Sequence, residues 1–332
     1  MAKAKPKAKT TDAVGVIGLG SMGLGVARTL LAKGFRVYAY DVRPQVLKEF
    51  AREGGKPCAS PAEVGAKAPV VIVLVVNADQ TSDALFGRNG AAARMARGSV
   101  VIASATVAPL FAEELGARLK SMGIHAIDAP VSGGAAKAAI GELSIMASGA
   151  REAFGRAQTV LDAIAAKVYR LGDAPGMGSK VKMINQLLAG VHIAASAEAM
   201  ALGIRAGVDP NVLYEVICNS AGSSWMFQNR VPHILAGDYT PLSAVNIFIK
   251  DLGIVVDSAR KLTFPSPLTA TAHQMFIMAG AHGHGLEDDS AVVKVFQALS
   301  GIPLPEKRRT GQRKAPARRP AAKRKALIRK TR

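Results

Sequence analysis

The stretch GMGSKVKMINQ, residues 176–186, places two lysines two positions apart at the start of an apolar run. A helix advances about 100 degrees per residue, so Lys180 and Lys182 point to different sides. Ile184, Leu187, Leu188 and Val191 fall on the side of Lys180, whereas Lys182 shares the opposite side with Asn185 and Gln186. A solvated face stays polar along its length. Here the Lys182 side continues as Ala189, Ile193, Ala197 and Met200, with Ser196 as the small polar exception, so the helix is read as buried and the Lys–Asn–Gln cluster as functional. Burial lowers a lysine pKa, and a lysine that is neutral near physiological pH can take a hydroxyl proton or, in reverse, return it. An amide beside it can hold the same oxygen in register. Lys182 is therefore the candidate general base, with the amide role at Asn185 or Gln186.

A second set of residues says what such a base would serve. VGVIGLGSMGLGVARTLLAKGFRVYAYD joins a strand to a helix through Gly18-x-Gly20-x-x-Gly23. A pyrophosphate needs bare backbone amides at a helix N-terminus: Gly18 allows the turn, Gly20 the approach of the phosphates, and Gly23 close helix–strand packing. Asp41 ends the second strand, 23 residues after Gly18, where a carboxylate accepts from both ribose hydroxyls and repels a 2′-phosphate. NAD is thus preferred over NADP, although Arg43 two residues on is of a type that accommodates that phosphate. Leu19, Ser21 and Met22 within the turn, and Asn77 at the end of PVVIVLVVN, are counted with the cofactor contacts. Hydride transfer to a nicotinamide from an alcohol is the reaction that needs both this turn and a base. In DAPVSGGAAKA, Ser132-Gly133-Gly134 follows a strand end, where backbone amides and a hydroxyl can cradle a substrate carboxylate.

These residues need a scaffold. AVGVIG, RVYAYD, PVVIVLVVN, SVVIAS and GIHAIDAP read as strands, the third apolar enough to be central in a parallel sheet. Between them lie helix signals such as SPAEV, with Ser60 as cap, Pro61 at the first position and Glu63 closing a capping box. After Gly176 the strand signals stop; one long helix runs to Gly207 and another starts after Asp209-Pro210. The fold class expected is α/β, a Rossmann-type doubly wound sheet followed by an all-helical domain. Residues 12–174 form the NAD-binding domain, 175–302 the helical substrate and oligomerisation domain, and 1–11 and 303–332 basic disordered tails.

In order, GLGSMG, DAPVSGG, GMGSKVKMINQ and IFIKDLGIV resemble the β-hydroxyacid dehydrogenase family over about residues 13–300. The resemblance implies Lys182 as the catalytic lysine, Asn185 or Gln186 as its amide, and Ser132, Gly133 and Gly134 as the substrate-carboxylate loop. It also implies that Thr106 lies near the nicotinamide, that Lys250 reaches the cofactor site from the helical domain, and that Asp251 fixes local helix geometry. APVSGGAAKA and NSAGSSWMFQNRVPHIL are most similar to members that oxidise the C2 hydroxyl of the four-carbon sugar acid L-threonate. In that loop Ser223 and Ser224 are candidates to meet sugar hydroxyls, while Trp225 and Phe227 are read as packing. Two departures bear on the substrate: Ala103-Ser104-Ala105-Thr106 stands where relatives read Asp-Met-Ser-Thr, and Asn246 where close relatives read Asp. Other hydroxyacids, such as 3-hydroxyisobutyrate or glycerate, are the alternatives. Family members form dimers or tetramers, so a homodimer or homotetramer is implied.

The formal charge of +19 is concentrated at the ends: residues 1–10 and 303–332 supply sixteen of the nineteen. AKAKPKAK and RKAPARRPAAKRK are compositions that bind anionic polymers without sequence specificity. They motivate a rival reading, a nucleic-acid-binding scaffold, against which the presence of Lys182 argues, because chromatin-acting relatives lack the lysine. Two cysteines without C-x-x-C spacing fit a reducing compartment and small buried hydrophobes. The six histidines have no acid partners at ligand spacing, so no metal is expected. The basic, then apolar, N-terminus breaks into GLGSMGLG too early for a secretory signal, and no segment reads as a membrane span; a cytoplasmic protein is expected.

Overall fold

A computed structural model describes residues 13–307; the expectations placed on residues 1–12 and 308–332 lie outside the described residues. Strands β1 (Ala13–Ile17), β2 (Arg36–Tyr40), β3 (Lys56–Pro57), β4 (Val70–Val73), β5 (Val100–Ala103) and β6 (His125–Asp128) run parallel in the order β3-β2-β1-β4-β5-β6. The order reverses between β1 and β4, the switch point at whose carboxyl edge ligands bind in doubly wound sheets. Three further strands, β7 (Val131–Ser132), β8 (Leu143–Gly149) and β9 (Ala165–Arg170), extend the sheet beyond β6, with β8 antiparallel to it.

Alternate residues of the central strands feed two cores, which is why these strands are apolar at every position. Val70, Ile72, Val100 and Ile102 face α1 (Ser21–Ala32), α2 (Pro44–Arg52), α6 (Gly134–Ile140) and α7 (Arg151–Ile164). Val71, Val73, Val101 and Ala103 face α3 (Pro61–Lys67), α4 (Ala78–Phe86) and α5 (Pro109–Ser121). Each such Val or Ile, fully buried, contributes about 1.5–3 kcal/mol relative to exposure. Ser60 caps α3 by accepting the Glu63 N–H at 3.3 Å, but Glu63 reaches back to the Ala59 N–H at 2.7 Å rather than to that of Ser60. β4 ends at Val73, four residues before Asn77; Leu74 still donates its N–H to the Ile17 carbonyl at 2.9 Å, and its own carbonyl lies against Gly18.

The helical part is α8 (Met177–Arg205), α9 (Pro210–Cys218), α10 (Trp225–Ala236), α11 (Val245–Lys261), α12 (Pro267–Ala279) and α13 (Val293–Ser300). α8 ends where Gly207 takes φ +82, and Asp209 caps α9 by accepting from Asn211 and Val212. Helices α9 to α13 all touch α8, whose buried Ile193, Ala194 and Ala197 join the core built on Phe248, Leu252 and Phe276.

Two expectations need correction. One helix, α8, is long and apolar enough to cross a membrane by length and composition, because it is the central rod of this domain and must be apolar toward several neighbours. The C-terminal tail starts later than the composition suggests: Ile302 is buried, Leu304 packs on the helical core, and Lys307 pairs with Asp238 at 2.9 Å. Leu304 and the Lys307–Asp238 pair hold residues 303–307 against the helical part.

Candidate active site

The glycine turn connects β1 to α1. Gly18 has φ +93, and a Cβ there would lie 2.5 Å from the Leu74 carbonyl oxygen; at Gly23 it would lie 1.9 Å from that of Gly18. Above Gly20, by contrast, there is nothing within 4 Å of a Cβ position. A residue at Gly18 or Gly23 would break the turn, and one at Gly20 would fill the space a pyrophosphate needs, so the residues fit a dinucleotide. Ser21 and Met22 open α1, their N–H groups belonging to its first turn.

Asp41, just beyond β2, is 8% exposed and accepts the Leu19 N–H at 2.7 Å, which ties the turn to the second strand. Arg43 closes on the same carboxylate through its N–H at 2.9 Å and its Nε at 2.8 Å. Burial works against the charged carboxylate, but these donors hold Asp41 below its usual range. Asn77 is engaged locally: its side chain caps α4 by accepting the Gln80 N–H at 2.8 Å.

The lysines separate as their spacing demands. Lys182 is buried, and burial is the main cause that lowers it to about 8; Asp251 pushes it back up and Lys250 down. Lys180 is not packed in the interior; it lies at the surface with its Nζ 2.9 Å from Glu113 of α5. Its companions Ile184 and Leu188 are half exposed. Gln186, one turn beyond Lys182 and also buried, donates its amide to Asp251 Oδ2 at 2.6 Å and accepts from Asn185 at 2.9 Å. Gln186 is thereby committed at both ends of its amide, and Asn185 stands at the outer end of the chain.

Asp251 is the residue that the sequence reading undervalued. It is 2% exposed on α11 and receives both Gln186 and the Lys250 ammonium, so it joins α8 to α11 rather than fixing its own helix. Lys250 also donates to the Thr106 carbonyl at 2.9 Å, reaching from the helical domain to the loop after β5. Close approach is possible because Gly190 lies against Leu252, where a Cβ would be 2.7 Å from its methyl carbon. A carboxylate within the apolar run IFIKDLGIVV is the signal that was available, since a buried charge requires partners.

Ser132 ends β7, and Gly133 and Gly134 have φ +127 and +68 at the start of α6. A Cβ at Gly134 would meet nothing within 4 Å. Ser224 caps α10 by accepting the Phe227 N–H at 3.0 Å, and Ser223 accepts from Gln228. Phe227 is packed against Tyr214, but Trp225 is 61% exposed among the described residues. Among the described residues, no group of three or more His, Cys, Asp or Glu is arranged to hold a metal ion.

Residues 13–172 match the family described as the NAD binding domain of 6-phosphogluconate dehydrogenase, and residues 176–296 that described as NAD-binding of NADP-dependent 3-hydroxyisobutyrate dehydrogenase. The chain is 66% identical to the L-threonate dehydrogenase of Cupriavidus necator, over 89% of this chain and 98% of that one. It is 36% identical to the mitochondrial 3-hydroxyisobutyrate dehydrogenase of Mus musculus over 86% of each chain. The crystal structure of a 3-hydroxyisobutyrate dehydrogenase from Salmonella typhimurium superposes with a TM-score of 0.82 at 51% identity, covering 85% of this chain and 99% of that one.

The chain belongs to the 3-hydroxyisobutyrate dehydrogenase family. It is an NAD-dependent hydroxyacid dehydrogenase whose glycine turn, Thr106, Ser132 loop, Lys182 and Lys250 all come from segments at the carboxyl edge of the sheet or from the helices beside it. The rival scaffold reading rests on the tails, which lie outside the described residues.

In this dehydrogenase the Asp41–Arg43 pair makes coenzyme choice testable. Asp41→Ser removes the carboxylate expected to accept from the ribose and releases Arg43. Losing charge-assisted hydrogen bonds of about 1.5–3 kcal/mol corresponds to a drop in kcat/KM for NAD of roughly 10- to 150-fold. The freed Arg43 should raise kcat/KM for NADP over the same comparison. Steady-state kinetics with both coenzymes checks this, and an unchanged NAD:NADP ratio would mean that Asp41 serves only the turn.

Proposed function

We propose that the protein oxidises the C2 hydroxyl of L-threonate to 2-dehydro-L-erythronate, with Lys182 as general base. The observation that carries the chemistry is the burial of Lys182 beside Asp251 and Lys250, which brings its pKa to about 8. The substrate follows from the relative at 66% identity. Bound at the glycine turn and held by Asp41, NAD supplies the acceptor for the C2 hydride. The chain's own residues do the rest: neutral Lys182 takes the hydroxyl proton, Asn185, held in place by Gln186, steadies that oxygen, and Ser132, Gly133 and Gly134 hold the carboxylate. Lys250 closes the cofactor side through Thr106. Asp41 with its carboxylate accepting hydrogen bonds favours NAD over NADP.

A second reading, 3-hydroxyisobutyrate as substrate, is favoured by the Salmonella structure named for that activity. NADH formation with L-threonate, D-threonate, the erythronates, glycerate and 3-hydroxyisobutyrate separates the two. L-Threonate leading the panel in kcat/KM is the expected result; 3-hydroxyisobutyrate or glycerate leading would replace the substrate assignment.

The base predicts the pH dependence. Oxidation needs Lys182 neutral, so kcat/KM should rise about tenfold per pH unit below its pKa of about 8 and level off above it. Reduction needs it protonated and should fall above the same pH. Profiles from pH 6 to 10 in both directions test this; a flat oxidation profile across pH 8 would remove Lys182 from the role.

Exposed Val181, Ile184, Leu188, Leu202, Val212 and Val216 on α8 and α9 suit coverage by a second copy, in line with a homodimer or homotetramer. Free Cys58 and Cys218 suit a reducing, cytoplasmic setting. Cys58 is buried and its thiol is pushed up to about 11, in keeping with a packing role.

A further inference from the structure

The first turn of a helix leaves backbone N–H groups without partners inside the helix. α8 starts at Gly176 with φ +116 and has no capping side chain of its own there. Its free donors are met from the sheet. Asp128, the last residue of β6 and 3% exposed, accepts the Gly176 N–H at 3.0 Å and the Ser179 N–H at 2.8 Å on Oδ2, and the Ser179 hydroxyl at 2.7 Å on Oδ1. Ser148 of β8, fully buried, accepts the Gly178 N–H at 3.0 Å and donates to Asp128 Oδ2 at 3.4 Å. A carboxylate at this end of a helix is also favoured by the helix dipole.

The junction leaves no slack. A Cβ at Gly178 would lie 2.4 Å from the Met146 carbonyl oxygen and 2.7 Å from that of Asp128. The sheet thus grips the helix through three backbone N–H donors, one hydroxyl donor and the close approach at Gly178, and Lys182 stands one turn beyond Gly178. The same sheet carries the glycine turn after β1 and Thr106 after β5.

We propose that Asp128 is a positioning residue for proton transfer: by fixing the first turn of α8 to the sheet, it sets where Lys182 stands relative to the cofactor turn. This rests on the reading of Lys182 as the base. The Asp128 carboxylate is taken up by Gly176, Ser179 and Ser148, so it acts through the helix.

The test uses the full chain with Asp128→Ala, Asp128→Asn and Ser148→Ala. It measures kcat at saturating acid and NAD, the NADH dissociation constant by fluorescence, and amide hydrogen exchange over residues 176–184 without coenzyme. A displacement of about 1 Å costs on the order of 10²-fold in rate, so Asp128→Ala should lower kcat by about that factor. NADH affinity should stay within about twofold, since a residue remote from the coenzyme contributes nothing to its binding. Exchange in the first turn of α8 should accelerate. Asparagine keeps an oxygen for the Gly176 and Ser179 N–H groups, and the Ser179 hydroxyl can turn to accept from its amide, so Asp128→Asn should recover most of kcat.

Unchanged kcat in Asp128→Ala, a parallel loss of NADH affinity, or no rescue by asparagine would each overturn the proposal. If Asp128→Ala does not fold, Ser148→Ala decides on the same split between kcat and NADH affinity. The base reading fails separately: a Lys182→Met protein that still turns over sinks that reading whatever Asp128 does, whereas an inactive Lys182→Met beside a fully active Asp128→Ala sinks only the positioning role.

Discussion

Lys182→Met is expected to lower turnover by about 10²–10⁴-fold, the usual share of a general acid–base group, and to raise the stability of the protein. The two effects share one cause. Lys182 has a pKa of about 8 in the folded chain against an ordinary value of 10.5. Its folded value is depressed, so the burial cost is present in full below about pH 8, where both states are protonated. That cost fades as pH rises from about 8 toward the unfolded value and the folded state sheds its proton first. The difference corresponds to about 3 kcal/mol at neutral pH. Methionine fills similar space without a charge, so the variant should unfold at a higher temperature at pH 7, with the gap narrowing toward pH 10. Thermal melts at both pH values beside single-turnover assays check it; a variant that is both inactive and less stable at pH 7 would show that Lys182 is a structural partner of Asp251 before it is a base.

Asp251→Ala carries the second large effect. Breaking a buried ion pair by removing one partner costs roughly 3–5 kcal/mol, and the partial exposure of Lys250 puts this case toward the lower end. Gln186 loses its acceptor and Lys250 its tether near Thr106. Lys182 also loses the carboxylate that raises its pKa, while Lys250, which lowers it, remains. The rise of the oxidation profile should therefore move to lower pH, and reduction should lose its proton donor at neutral pH. Denaturant melts and paired pH profiles test this. A profile that stays in place would mean that Asp251 holds the helices together without setting the charge of the base.

The parts of this site that were legible in the sequence are those separated by a few residues. The glycine turn, Asp41 and the Lys182 face all follow from spacing within one or two elements, since helix angle and strand length fix where such residues point. Asp251 was legible only as a neighbour of Lys250, because nothing in a sequence says which helix a buried carboxylate will face. The same limit applies to Asp128, which reads as the end of a strand and turns out to cap a helix 48 residues later. LSIMASG, which forms β8, is not among the segments that read as strands; only its antiparallel return beside β6 makes it one, and that is a long-range pairing. Trp225 was read as packing because large aromatic residues bury well, yet its surroundings within one chain leave it exposed.

α8 meets the sheet at Gly178, carries the buried Lys182, meets α11 through Gln186 and admits Leu252 at Gly190. These positions follow each other at four-residue intervals, each step turning the helix by about 40 degrees and advancing about 6 Å. One inserted residue anywhere in that interval would swing everything beyond it by about 100 degrees, so the sheet and α11 could not both be met. Exchanges on the outward side, at Val181, Ile184 or Leu188, leave that count intact. Over these thirteen residues the chain is held to a length as well as to glycine at positions 178 and 190, so an insertion or deletion is excluded even where the side chain itself faces outward.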